Sequence, residues 1–189
     1  STVPGLEKFK CLEVFQDTLY TGGNFINLNG ANRVAKFDGS DWVSTGFPLS
    51  SPNTPQEKDV TDLEVHEGKL FAAGDLIDFE GSSVITSIGL ASYDGSDWQG
   101  HAPDSVYPIQ FDVLKSFNGE LYCGGDFLYI EGNQNVDGVV IYNALDQNEF
   151  MPTNFHSAQP GGPVLDLAVV NGESAKLFRD LVQQADIFL

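Results

Sequence analysis

One segment of thirteen residues occurs three times in this chain at a constant spacing. The copies begin at Leu12, Leu63 and Leu114, and they read LEVFQDTLYTGGN, LEVHEGKLFAAGD and LKSFNGELYCGGD. The interval is 51 residues on both occasions, and a pair of small residues occupies the same place in each copy. Self-similarity at a fixed period indicates an array of like supersecondary units, and this constrains the fold more than any single residue does.

Each copy contains two apolar-rich runs separated by a short polar turn. In the third copy the turn is Asn118-Gly119, a pair that accepts positive φ at little cost and therefore favours a β-hairpin. Glu67-Gly68 and Gln16-Asp17 stand at the same place in the other copies. Apolar and polar residues alternate on both sides of the turn, as half-buried strands require.

A second pair of strands is predicted after each hairpin. The sequences VAKFDGSDWV (34–43) and LASYDGSDWQ (90–99) share a DGSDW motif and lie 56 residues apart. The five extra residues fall before the aromatic residue of the motif, where a loop tolerates insertion. Four strands per unit, with glycines on the second and aromatic residues on the third and fourth, form the pattern of a propeller blade.

We therefore predict an all-β fold, a β-propeller-type array of about three four-stranded blades in a single repeat domain. The blades are expected at about 11–46, 60–100 and 111–150, followed by the first strand of a fourth at 164–172 and a C-terminal amphipathic helix at 174–189. The alternative is a β-sandwich whose self-similarity is coincidental.

The predicted array stops part of the way through a fourth blade. Propellers have four to eight blades, because fewer cannot close a ring around a filled axis. The helix is predicted from apolar residues at spacings of three and four, namely Leu177, Leu181, Ala185 and Phe188. Three arrangements would cover the open edges: self-association of chains, the helix folded over the open blade, or a longer parent chain.

The order of these motifs resembles the kelch repeat. The shared elements are a Gly pair, an aromatic residue 14 positions later and a Trp five positions further on, here Gly22-Gly23, Phe37 and Trp42. The version LYxGG…FDGSDW is more similar still to the secreted kelch-like, galactose-oxidase-type propeller repeats of bacterial surface proteins and fungal cortical polarity markers. The resemblance covers about residues 12–150. It implies propeller blades and binding, and it does not imply one activity.

The composition excludes some partners. The chain has 27 acidic and 9 basic residues, a net charge of −18 and a pI near 4.1. Such a surface repels phosphate backbones, so nucleic-acid binding is not expected, and anionic membranes are disfavoured for the same reason. No apolar run is long enough to span a bilayer, so membrane insertion is not expected. Low Lys with high Asp, Asn, Gly and Ser content is typical of an extracellular or cell-surface protein.

Two groups of oxygen-bearing residues are candidate calcium ligands, and no other cofactor is expected. The first group comprises the carboxylates of the two DGSD turns: Asp38, Asp41, Asp94 and Asp97. The second imitates the start of a calcium-binding loop: Asn133, Asn135 and Asp137. The twelfth position of that loop is Ala144 where calcium loops have Glu. The alternative for the DGSD carboxylates is that they only form the turn.

The histidines and cysteines are assigned structural roles. His66 stands where the other copies have phenylalanine, so we expect a packed strand residue, whereas His101 and His156 are placed in inter-blade loops. Cys11 and Cys123 do not occupy equivalent repeat positions. A disulfide between them would join the first and third units, which are not neighbours in an ordinary ring, and whether they are paired stays open.

The function expected from these features is a non-enzymatic extracellular binding or adhesion module. Inter-blade loops at 47–59, 101–110 and 151–163 would contact a protein or glycan ligand, since loops on a rigid scaffold commonly carry binding residues. One alternative is a structural subunit that self-assembles through its open blade edges and C-terminal helix. A second alternative is a glycan-active enzyme, although no residue pattern singles out an acid pair.

Overall fold

The computed structural model describes residues 8–48, 59–77, 87–101, 110–127, 129–130, 133–134, 138–143, 149–153, 164 and 166–167. Within these ranges all regular structure is β-strand, and no helix is present. The predicted helix at 174–189 and most of the predicted strand at 164–172 lie outside the described residues.

Three four-stranded antiparallel sheets follow one another along the chain, and within each sheet neighbouring strands are consecutive along the chain apart from one inserted hairpin. The first sheet contains β1 (Phe9–Phe15), β2 (Thr18–Gly23), β3 (Val34–Phe37) and β4 (Trp42–Ser44). The second contains β5 (Val60–His66), β6 (Lys69–Ile77), β7 (Ser87–Tyr93) and β8 (Trp98–His101). The third contains β9 (Phe111–Phe117), β10 (Glu120–Gly125), β13 (Val139–Asn143) and β14 (Glu149–Pro152). A small hairpin, β11 (Tyr129–Ile130) and β12 (Asn133–Gln134), lies between β10 and β13. The prediction of three four-stranded units is confirmed.

The three hairpin turns share one backbone conformation. Gln16 and Asp17 have φ values of 49° and 57°, and Asn118 and Gly119 have values of 52° and 81°. Positive φ at both central residues is the type I′ geometry, whose twist matches that of the flanking strands. The repeat therefore imposes the left-handed conformation even on Gln16 and Asp17, which favour it less than glycine does.

The second residue of each small-residue pair is a glycine in all three copies, and a backbone contact requires it. A Cβ atom added at Gly23, Gly74 or Gly125 would overlap the carbonyl oxygen of the residue just before the sheet's first strand. Those carbonyls belong to Lys8, Asp59 and Gln110, which are again 51 residues apart. The first two strands of each sheet shift register at this point, so the glycine lets the backbone close up beside an irregular pair.

The first strands of the three sheets lie side by side, with β5 between β1 and β9. Thr61 Oγ1 donates to the Phe111 carbonyl at 3.2 Å, and the Leu114 amide donates to Asp62 Oδ2 at 2.7 Å. Further along, the Ser116 amide donates to Glu64 Oε1 at 2.9 Å. Residue numbers rise together on both strands, so β5 and β9 run in the same direction.

Each sheet has a forward face, which packs on the next sheet, and a backward face on its other side. Tyr20 on the forward face of the first sheet contacts Tyr93 on the backward face of the second, with ring centroids 6.2 Å apart. Phe71 and Tyr142 make the corresponding contact between the second and third sheets at 5.7 Å. Because Tyr20 and Phe71 occupy one repeat position, the two buried layers of the core are built on the same plan.

The hairpin between β6 and β7 is longer than the sequence predicts. After a register shift beyond Ala73, Leu76 pairs with Ile88 and Ile77 pairs with Ser87. The repeat pattern predicts a second strand that ends at Asp75 and a third that begins at Leu90. The residues inserted relative to the first unit lie in this connection. The pairs Leu76–Ile88 and Ile77–Ser87 extend the antiparallel pairing of β6 and β7 into it.

Candidate functional site

The two DGSD turns are closed by the same hydrogen bonds. Asp38 Oδ1 accepts from the Ser40 amide, from Ser40 Oγ and from the Asp41 amide, at 2.9, 3.0 and 2.9 Å. Asp94 Oδ1 accepts from Ser96 and Asp97 in the same way, at 2.8, 2.8 and 2.9 Å. This is the Asx-turn arrangement, which explains why Asp stands at the start of each motif.

These hydrogen bonds favour the ionised form of the carboxyl groups. Donation from the Asp97 amide, the Ser96 amide and Ser96 Oγ lowers the pKa of Asp94 to about 2, and the equivalent donors lower the pKa of Asp38. Both side chains are exposed. Asp38 and Asp94 therefore stay ionised to a lower pH than an ordinary Asp, and one carboxylate oxygen of each is already engaged.

The structure does not bring the candidate calcium ligands into a larger cluster. Among the residues it describes, no three His, Cys, Asp or Glu side chains are placed to hold a metal ion together. Asn133 belongs to β12, where its backbone pairs with Ile130, while Asn135 and Asp137 lie outside the described residues. Calcium binding at the DGSD turns or at 133–137 stays a prediction.

His101 is a buried strand residue, which corrects its expected position in a loop. It ends β8 and pairs with Leu90. Ser92 Oγ lies 2.7 Å from its Nε2, and the Tyr142 hydroxyl lies 2.9 Å from its Nδ1. Phe71 stacks on the ring at 5.8 Å. Ser92 belongs to the second sheet and Tyr142 to the third. His101 therefore links the two sheets, because one ring nitrogen contacts each of them.

His66 is packed between the second and third sheets, as the sequence predicts. Its Nδ1 lies 2.9 Å from Ser116 Oγ, and its ring contacts Phe71 edge-on at 5.9 Å. Burial lowers the pKa of the imidazole. Neither His66 nor His101 is presented to solvent as a ligand would be, and His156 lies outside the described residues.

Both cysteines are free thiols. Cys123 is buried among apolar residues of the third sheet, and burial raises the pKa of its thiol. Burial, together with the charge of Asp62, raises the pKa of Cys11 to about 12. A thiol held in its protonated form is a poor nucleophile, so both residues serve as small packing side chains.

The longer connections of the sheets all leave from one end. β1 runs in the same direction as β5 and β9, since Lys10 lies beside Asp59 at its start and Phe15 beside Tyr93 at its end. Strands alternate within each sheet, so the connections after every second and fourth strand begin at that end. In the part of the chain that the structure describes, the opposite end carries the two-residue hairpin turns and the two DGSD turns. We call the two ends the long-connection end and the short-turn end.

The connection 24–33 is the long connection whose residues the structure describes in full. Leu28 and Ala31 exchange backbone hydrogen bonds of 2.9 and 2.8 Å around Asn29-Gly30, and Phe25 is buried beneath them. Ile26, Asn27 and Asn29 are exposed on this support. An apolar side chain beside two amides, which both donate and accept hydrogen bonds, is chemically suited to contact a polar ligand.

Ion pairs brace the same end. Asp59, just before β5, pairs with Lys10 on β1, and its Oδ1 lies 3.8 Å from Arg33 Nη1 at the start of β3. Arg33 and Asp59 are largely buried, so these charges hold the first and second sheets together and do not project toward a ligand. Motif spacing gives no signal for this network, because its three members come from separate segments.

The described part of the chain has no helix of the length and apolar character needed to cross a membrane. Scans against models of protein families and against curated proteins find no match to this chain. The kelch-like resemblance therefore rests on the sequence motifs alone.

Proposed function

We propose that this chain is a non-enzymatic binding module of the extracellular or cell-surface type, built as blades of a β-propeller. The parallel first strands and the regular order of the sheets support the propeller arrangement. In such an array the sheets form a rigid scaffold, and the connections at one end form a continuous surface for a ligand.

The observation that carries the proposal is the gathering of the longer connections at one end. Internal contacts fix the conformation of the described connection 24–33, which forms a base for its exposed residues. Phe25 is buried, and Asn32 Oδ1 accepts a hydrogen bond from the Asn27 amide at 2.8 Å. Ile26 and Asn29 are exposed on that base, and Asn29 Nδ2 also donates to the Trp42 carbonyl at 3.4 Å. A ligand contacting these residues would meet a surface that needs little ordering on binding.

The reactive side chains that the structure describes have structural roles, and this supports a non-catalytic function. His66 and His101 are engaged in contacts between sheets, and the thiols of Cys11 and Cys123 are held protonated. Asp94 is held ionised by its turn and is therefore a poor proton donor near neutral pH.

The test is a binding survey with the full chain, labelled and applied to a glycan array and to a panel of extracellular protein domains. The proposal expects a ligand whose binding is weakened at least tenfold by Ile26→Glu and is unchanged by Leu12→Glu, which lies on a sheet face. Hydrolysis of an array glycan would support the enzyme alternative instead. Ligands that bind both variants equally well would remove the long-connection end as the site.

A further inference from the structure

The first sheet exposes apolar residues at positions that the other sheets bury. Leu12 is 59 % exposed, whereas Leu63 and Leu114, at the same repeat position, are each 2 % exposed. Phe37 is 37 % exposed, whereas Tyr93 and Tyr142 are 3 % and 5 % exposed. The difference arises because the second and third sheets each have a preceding sheet packed on their backward face.

Five exposed apolar residues form one patch on the backward face of the first sheet. We call it the open patch, and its residues are Phe9, Leu12, Val14, Leu19 and Phe37. In the second sheet the same positions hold Val60, Leu63, Val65, Leu70 and Tyr93, which pack toward the first sheet. The open patch therefore resembles the face of the second sheet that packs on the forward face of the first sheet. We infer that the partner of the open patch is also the forward face of a sheet of this type.

The third sheet exposes the counterpart. Phe117 is 40 % exposed, whereas Phe15, at the same position of the first sheet, is 3 % exposed beneath the second sheet. Tyr122 is partly exposed, whereas Tyr20 and Phe71 are buried. Val164 packs on this face at Gly124 as Val60 packs on Gly22, so the start of the next unit lies against the second strand there. Among the described residues, Phe117 is nevertheless exposed and Tyr122 is partly exposed.

We propose that the open patch binds a second copy of this chain, which presents the forward face of its third sheet. Independently of the proposed ligand binding, this contact continues the one that the first sheet makes with the second. Phe37 of one copy meets Tyr122 and Phe117 of the other, as Tyr93 meets Tyr20 and Phe15 within one chain. Different faces meet, so the association is head to tail, and it closes when two copies share both contacts.

Sedimentation velocity of the full chain over a hundredfold concentration range tests the proposal. The natural chain is expected to associate as its concentration rises, and Leu12→Glu combined with Val14→Glu is expected to stay monomeric. Ile26→Glu is the matched control, because it places the same charge on an exposed apolar residue outside the open patch. Circular dichroism and thermal melting establish that each variant is folded.

A mixing experiment tests the head-to-tail geometry. Leu12→Glu/Val14→Glu blocks the backward face, Phe117→Glu blocks the forward face, and neither variant alone should associate. Mixed together, they retain one matching pair of faces and should form a one-to-one complex. Self-association of Phe117→Glu alone would overturn the proposal in favour of pairing between two open patches.

Monomeric behaviour of the natural chain at all concentrations would overturn the proposal. Hydroxyl-radical footprinting of the Leu12 and Val14 side chains would then identify the occupant of the patch. Protection in the monomer would assign it to another part of the same chain, and ready oxidation would leave it for a segment of a longer polypeptide.

Discussion

The hydroxyl of Tyr142 lies 2.9 Å from Nδ1 of His101, across the boundary between the second and third sheets. Ser92 Oγ lies 2.7 Å from the other ring nitrogen, Nε2, and all three side chains are buried. A polar group in a core stabilises the fold only while its partners are present, because an unsatisfied buried nitrogen loses its hydration without compensation.

Replacing Tyr142 with Phe should therefore lower the free energy of unfolding by about 1–3 kcal/mol, the usual cost of leaving a buried polar group unsatisfied. Urea denaturation measures this. The control is Tyr93→Phe at the same repeat position, where the hydroxyl donates to the Gly95 carbonyl near the surface. That variant should lose about 1 kcal/mol or less. Equal losses in the two variants would show that His101 does not depend on Tyr142.

Replacing Gly125 with Ala should destabilise the third sheet, because the added methyl group would overlap the Gln110 carbonyl. The expected loss is about 1–3 kcal/mol, as for other overpacked sites. Gly119→Asn is the control, since the space around Gly119 is open and Asn accepts its positive φ of 81°. A Gly125→Ala variant as stable as the natural chain would mean that the irregular pairing beside it is not required.

Acid should weaken the natural chain more than a variant with Asp38→Asn and Asp94→Asn. The pKa of Asp94 falls to about 2 on folding because its turn donates hydrogen bonds to the carboxylate. Unfolded chains bind that proton near the ordinary pKa of about 3.9, so stability is present above this value and is lost as the pH falls toward 2. Thermal melting at pH 5, 4 and 3 checks this. A parallel loss in both proteins would contradict it.

The same double variant tests the calcium prediction. If the DGSD turns bind calcium, calcium should raise the melting temperature of the natural chain, because a ligand bound only to the folded state stabilises it. The double variant should show a smaller rise, since it lacks two of the four carboxylates. Magnesium at equal ionic strength is the control, and identical responses to the two metals would exclude a calcium-selective site.

Self-association should tighten as salt is added. Each chain carries a net charge of −18, so two copies repel one another at low ionic strength. Screening shortens that repulsion to about 8 Å at physiological salt and leaves the apolar contact of the open patch intact. Sedimentation equilibrium at about 0.05 M and 0.5 M NaCl measures the change. The Debye length is longer than about 8 Å at the lower salt concentration and shorter at the higher one. Weaker association at the higher salt would indicate a contact held by ion pairs.

The sequence predicts what is local and repeated. The 51-residue interval places the hairpins, and the DGSD motif places its turn, because both depend on residues a few positions apart. His101 shows where this reasoning stops. Two prolines follow it closely, so it reads as a loop residue, yet its partners are a neighbouring strand and a tyrosine 41 residues away.

Burial at a repeat position could not be predicted from the motif either. Trp42 and Trp98 stand in identical DGSDW sequences, and each packs on the aromatic residue opposite it on the third strand. Trp98 additionally donates to the Thr45 carbonyl of the first sheet at 3.2 Å. Trp42 belongs to the first sheet. Among the described residues no sheet precedes this one, so Trp42 has no equivalent acceptor from a preceding sheet. The surroundings of a residue depend on its unit's place in the array.

The glycine that ends each small-residue pair meets a carbonyl from its own sheet, so a single unit contains both members of that contact. A gene segment encoding one unit could therefore be duplicated in tandem without any compensating substitution at this point. The new copy would bring its own glycine and carbonyl, and it would present on either side the same aromatic positions that its neighbours already use. Lengthening such a protein requires no new solution to packing, and this offers a physical reason for the shared pattern of its three copies.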